Sequence, residues 1–138
     1  MTLNHEEKRI DYRPVEAGLL YDDGFLRVHA IPTEHCPNSF AYLVQSREQT
    51  VLFTSDLRRP EVDFPKVAME MKLDLLVCEA AHFPATEYLP VLERCAASKV
   101  CVTLYSDLFL DSVLQIQRTL QERGTPVVLA TDGLQLDV

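Results

Sequence analysis

Two apolar runs, Ser39–Val44 and Val51–Phe53, are parted only by the polar link Gln45-Ser46-Arg47-Glu48-Gln49 and Thr50. Each run is too short to be a core helix. Each is apolar at successive positions, not at every second one, which is the pattern of a strand covered on both faces. A short polar link between two such strands makes a hairpin. The chain must therefore build a sheet with material on both sides of it.

Chemistry-bearing residues flank this hairpin. Pro32-Thr33-Glu34-His35-Cys36-Pro37 leads into the first run, and Thr54-Ser55-Asp56 leads out of the second. If the strands pair, His35 and Asp56 arrive at the same rim of the sheet.

The rest of the chain alternates elements around that centre. Residues 1–8 read as a mobile lead. Arg9–Val15 alternates polar and apolar residues as a strand with one wet face, with Pro14 at its edge or end. Asp22-Asp23-Gly24 is a turn, followed by a strand from Phe25 to Ile31. Asp63 is placed to cap a short helix over Phe64–Met71, with Pro65 in its first turn. Leu75–Cys78 reads as a buried strand running into Glu79-Ala80-Ala81-His82. Pro84 then opens a helix to about Ala97, with Tyr88, Leu92 and Cys95 on one stripe. Val100–Leu104 is the next strand. Asp107 is a candidate N-cap for the helix in which Phe109, Val113, Ile116 and Leu120 recur. Gly124 stops that helix. Val127–Ala130 and Leu134–Val138 read as two closing strands around Thr131-Asp132-Gly133. The whole chain, 1–138, is one α/β domain: a mixed sheet with helices on one face.

Composition narrows the function. Apolar residues at 47% and charged residues at 25% exclude disordered and fibrous classes. No apolar run approaches the about 18 residues of a membrane span, and Met1–Arg9 lacks the apolar core of a signal peptide. A net charge of −8 argues against nucleic acid as a partner. None of the four cysteines forms a C-x-x-C pair. Cys78 and Cys101 lie inside apolar runs as buried thiols, which suits a reducing cytoplasm. No glycine pattern for phosphate binding and no G-x-S-x-G occurs, so nucleotide binding and a serine nucleophile are unsupported.

His35 ahead of the Phe40-Ala41-Tyr42 strand, with Ser55-Asp56 closing the next, resembles the second half of the metallo-β-lactamase superfamily. The resemblance spans nearly the whole chain but only half of that family's domain, and the H-x-H-x-D-H motif of the other half is absent. It implies half of an αββα sandwich, whose uncovered apolar sheet face needs a homodimer partner or a companion chain. It implies His35 as a ligand to one metal and Asp56 as a bridging carboxylate. A Thr-His pair expected after a later strand corresponds to Val102-Thr103-Leu104-Tyr105-Ser106-Asp107, where Leu104 or Tyr105 stands in place of the histidine. Glu79, His82, Tyr105 and Asp107 are further candidates at the same rim. Zinc, or iron or manganese, is expected only if another chain completes the site.

The implied function is that of a metal-dependent hydrolase half-domain. Ester or phosphodiester bonds would be cleaved by hydroxide generated at the metal, and the chain would not be competent alone. The alternative is a degenerate module that keeps the fold and works by binding or dimerising. Each residue also has an ordinary structural role. His35 can be a turn histidine, Asp56 a turn or cap residue, and Glu79 with His82 a hydrogen-bonded pair that orders a loop.

Overall fold

In the computed structural model, which describes residues 10–138, seven strands form one sheet in sequence order. They are β1 (Gly18–Asp22), β2 (Arg27–Pro32), β3 (Phe40–Gln45), β4 (Thr50–Phe53), β5 (Leu75–Ala80), β6 (Val100–Tyr105) and β7 (Val127–Leu129). The first four form an antiparallel meander, and β4 to β7 run parallel. The change of sense follows from the connections. Short turns join the meander strands, whereas parallel neighbours need a crossover, here built from helical turns. The hairpin that opens the sequence argument forms as expected, with Tyr42 opposite Phe53 and Gln45 opposite Thr50. Ser46 closes its turn by accepting at Oγ from the Gln49 N–H, at 3.1 Å. Asp22-Asp23-Gly24 also turns as read: Asp23 accepts the N–H groups of Leu26 and Phe25, which holds its carboxyl below the usual range.

The helical segments are α1 (Pro60–Asp63), α2 (Leu89–Leu92) and α3 (Leu110–Glu122), with 3-10 turns at Lys66–Met69, Ala85–Tyr88 and Asp107–Phe109. They cover one sheet face. Leu43, Leu52, Leu76, Val100 and Val102 from the strands bury against Phe83, Tyr88, Val91, Val113 and Ile116. Only α3 carries the full amphipathic period, and it ends before Gly124, whose φ of +87° suits glycine.

Five expectations need correction. Over its described part the expected strand Arg9–Val15 does not form: residues 10–15 are exposed, join no strand among the described residues, and β1 starts only at Gly18. Pro14 cannot donate to a ladder, so pairing begins beyond it. The mobile lead at 1–8 and Arg9 lie outside the described residues. The helix at Phe64–Met71 is instead α1 followed by a 3-10 turn. Phe64 precedes Pro65, which disfavours helical geometry there, and its ψ is 130°. The helix from Pro84 to Ala97 breaks into a 3-10 turn and α2, because Pro90 has no N–H to carry a helix across from the preceding turn. Asp107 lies in a 3-10 turn and makes no side-chain cap bond.

The last expected strand, Leu134–Val138, is not part of the sheet. After the turn at Thr131–Gly133 this stretch crosses the face opposite the helices. Leu134, Leu136 and Val138 line a cavity of about 610 Å³ with Val51, Phe53, Leu75, Val77 and Cys101. The Lys99 ammonium donates to the Asp137 carbonyl at 3.3 Å, and the Gln49 amide donates to that of Val138. Covering an apolar face outweighs one more edge strand.

Burial also settles the thiols. Cys78, Cys95 and Cys101 are buried and Cys36 is exposed. Loss of hydration pushes the Cys95 thiol up to about 11, and pushes those of Cys78 and Cys101 upward as well. A disulfide-exchange reagent at neutral pH should therefore label one thiol per folded chain quickly, and the other three only on unfolding. Cys36→Ser should abolish the fast phase. A fast phase of two or more thiols would contradict the packing.

Candidate metal centre

The site is assembled by three loops at one end of the sheet. The first, between β2 and β3, carries His35. It closes on itself through Thr33 N–H to Ser39 O at 2.9 Å and Ser39 N–H to Cys36 O at 3.2 Å. The second follows β4 and carries Asp56. Ser55, with φ of 51°, turns the chain sharply just before it. The third follows β5 and carries His82.

Hydrogen bonds tie these loops to one another. The hydroxyls of Thr33 and Ser39 are hydrogen-bonded to each other at 2.5 Å and lie 3.1 and 3.3 Å from the Asp56 carbonyl, which accepts from the pair. Asp63 Oδ2 accepts the N–H of Glu34 at 2.8 Å and of Arg58 at 2.9 Å, and its Oδ1 accepts that of Arg59 at 3.2 Å. Glu79, buried on β5, accepts the N–H of Leu57 at 3.2 Å through Oε1 and of Ala81 at 2.7 Å through Oε2. The Tyr88 hydroxyl donates to the Glu79 carbonyl at 2.8 Å, and burial raises the pKa of that phenol well above its ordinary value. The peptide group that follows Asp56 is thus held at both its carbonyl and its N–H by side chains from elsewhere in the chain. A buried carboxylate that accepts several N–H groups is worth more than a neutral acceptor in the same place.

These restraints bring three candidate donors together. His35 Nε2 lies 3.9 Å from Asp56 Oδ2, and the rings of His35 and His82 are 4.4 Å apart between centroids. One donor atom from each of His35, Asp56 and His82 lies within 4.8 Å of the other two. Ligands at about 2.0–2.2 Å from a tetrahedral zinc stand roughly 3.4 Å apart. Small side-chain rotations would close that difference, and all three side chains retain solvent access in which to make them. Two imidazoles and one carboxylate are a donor set that suits zinc and its first-row neighbours.

The other rim candidates are not among these three donors. Glu79 touches His82 but is turned inward. Tyr105 directs its hydroxyl to the Ala130 carbonyl, at 3.2 Å. Asp107 sits exposed at the start of its 3-10 turn. Between Leu104 and Tyr105, it is Leu104 that lines a recess of about 230 Å³ together with Ser55, Asp56 and Glu79. Leu104 is the extra residue of a β-bulge between β5 and β6, with φ of 43° and its side chain exposed. Bulges of this kind re-aim a side chain at sheet rims. The structural weight of Asp63 was missed in the sequence, where only its spacing from Pro65 drew notice.

No protein-family profile and no curated protein matches this sequence. Solved structures do match in shape. YhfI from Bacillus subtilis, a metallo-β-lactamase fold protein, superposes with a TM-score of 0.66 at 18% identity, over 92% of this chain and 54% of its own. A protein from Parabacteroides distasonis described as a metal-dependent hydrolase gives 0.64 at 11% identity, over 83% and 56% of the two chains. The short form of human tRNase Z gives 0.63 at 18% identity, over 87% and 46%. The chain thus spans about half the length of the structures it matches. Its seven-stranded mixed sheet and helical layer have the fold of half of a metallo-β-lactamase-type domain.

Proposed function

We propose that the chain is a half-domain of a metal-dependent hydrolase, with His35 and Asp56 as metal ligands and ester or phosphodiester bonds as the substrate class. The observation that carries this reading is the approach of His35 to Asp56, 3.9 Å between Nε2 and Oδ2, at the sheet rim of a fold shared with metal-dependent proteins. A divalent ion there would supply a Lewis acid and hydroxide at neutral pH. The chain's own residues provide its positioning. Thr33 and Ser39 fix the Asp56 backbone, and Asp63 links the His35 loop to the Asp56 loop. The remaining groups for catalysis would come from a companion chain or a second copy, which would also cover the apolar face now crossed by residues 130–138. The free thiols fit a reducing cytoplasm. No helix among the described residues is long and apolar enough to cross a membrane.

A second reading, a binding or dimerising module without catalysis, is favoured by one observation. Leu104, which cannot ligate a metal, borders the recess beside Asp56. Elemental analysis of the purified chain, with light scattering for its mass, separates the two. Zinc, iron or manganese near one per chain, lost in His35→Ala and Asp56→Ala, supports the first. A metal-free dimer supports the second.

A further inference from the structure

His82 lies outside the ligand set that the fold resemblance suggested for this half, yet its ring packs against that of His35. We infer that His82 is a third protein ligand, so that this half-domain holds one borderline divalent cation by itself. We infer further that Glu79 is the positioning residue that prepares His82 for the task. The inference rests on the reading of His35 and Asp56 given above.

Glu79 is 2% exposed, yet among the described residues it has no lysine or arginine partner. Oε1 lies 2.9 Å from His82 Nδ1, while Oε2 accepts the N–H of His82 at 3.3 Å and of Ala81 at 2.7 Å. As a carboxylate Glu79 only accepts hydrogen bonds, and in that form Nδ1 carries the proton of this bond. In neutral His82 the lone pair then lies on Nε2, at the opposite corner of the ring. A carboxylate behind an imidazole is the usual support of a metal-bound histidine, fixing both its tautomer and its orientation.

His35, Asp56 and His82 come from three separate loops, and their donor atoms gather within 4.8 Å. The imidazole planes meet at 57°, so the rings are tilted and not stacked flat. Glu79 serves both sides of this cluster. Its Oε1 receives the Leu57 N–H next to Asp56 as well as His82 Nδ1, so a single buried carboxylate sets two of the three ligands. A mere loop-ordering pair would account for the bond between Glu79 and His82, but not for a second imidazole and a carboxylate meeting it. Three protein ligands leave room for water or substrate on the ion. The donor types select zinc, cobalt(II) or iron(II) over magnesium or calcium.

The test is cobalt(II) and zinc titration of the full chain, followed by the visible spectrum of bound cobalt. Wild type should take up one ion per chain. His82→Ala should weaken binding by about 100-fold or more, as His35→Ala and Asp56→Ala should. Glu79→Gln should weaken it by about 10–100-fold and shift the cobalt bands, an effect that simple loosening of the loop would not produce. His82 is partly exposed, so its variants test the site even if Glu79→Gln fails to fold. Nitrogen NMR of the metal-free chain should show His82 protonated at Nδ1. Wild-type affinity in His82→Ala, or no uptake by the wild type alone, would overturn the inference. The underlying reading fails separately, if His35→Ala and Asp56→Ala bind the ion as well as wild type does.

Discussion

Replacing Asp63 by alanine should lower the unfolding free energy by about 3 kcal/mol, since three backbone N–H groups would lose a charged acceptor together. Those groups belong to Glu34, Arg58 and Arg59. Glu34 adjoins His35, and Arg58 stands two positions beyond Asp56, so the loss should also loosen both candidate ligands. Urea unfolding of Asp63→Ala, with the slope of the transition unchanged, checks the first effect. Metal titration under conditions where the variant is folded checks the second. Asp63→Asn should fall between the two, because its single side-chain oxygen can keep only part of the set. A loss below about 0.5 kcal/mol, the size of an ordinary surface change, would mean that water replaces the carboxylate without penalty.

The second large effect concerns Leu104. A non-glycine residue in the left-handed region costs on the order of 1–2 kcal/mol, and leucine is poorly suited to it. Leu104 sits there with φ of 43°, and its exposed side chain gives little packing in return. Histidine tolerates this region better than most residues. Leu104→His should therefore stabilise the metal-free chain slightly. It should also bring an imidazole to the recess beside Asp56 and raise zinc affinity at least about tenfold, equivalent to 1.4 kcal/mol of binding free energy. Leu104→Gly provides the control, because it relieves the backbone but adds no donor. If glycine raises affinity as much as histidine does, strain and not ligation is responsible.

These two residues show where sequence reading succeeds and where it stops. The strands were legible because their apolar runs had no helical period and were bounded by clear turn signals. His35 and Asp56 were legible as neighbours because a hairpin fixes which ends meet. The bond between Glu79 and His82 was foreseeable from their spacing on one loop. Asp63 was not, because its partners lie as far as 29 positions away and are backbone groups, which every residue carries. The positive φ of Leu104 was equally hidden, since nothing in a leucine announces a bulge. The helices between β4 and β6 were overextended because prolines that can open a helix can also end one, and Pro65 and Pro90 divide theirs. The C-terminal stretch Leu134–Val138 reads as a strand by its alternation. Alternation shows only that one side is apolar, not what that side will cover.

The sheet's neighbour order repeats the order of the sequence, β1 through β7, with no strand inserted between two earlier ones. Each strand therefore finds the partner on its N-terminal side already synthesised when it leaves the ribosome. No strand must wait for a distant later segment to complete its place between neighbours. Loop-closure entropy stays modest at every step, and the sheet can grow in one direction as the chain emerges. Of the seven strands β7 is the last edge to form, and residues 130–138 arrive after it. The apolar face they cross is therefore left uncovered by them while the seven strands form.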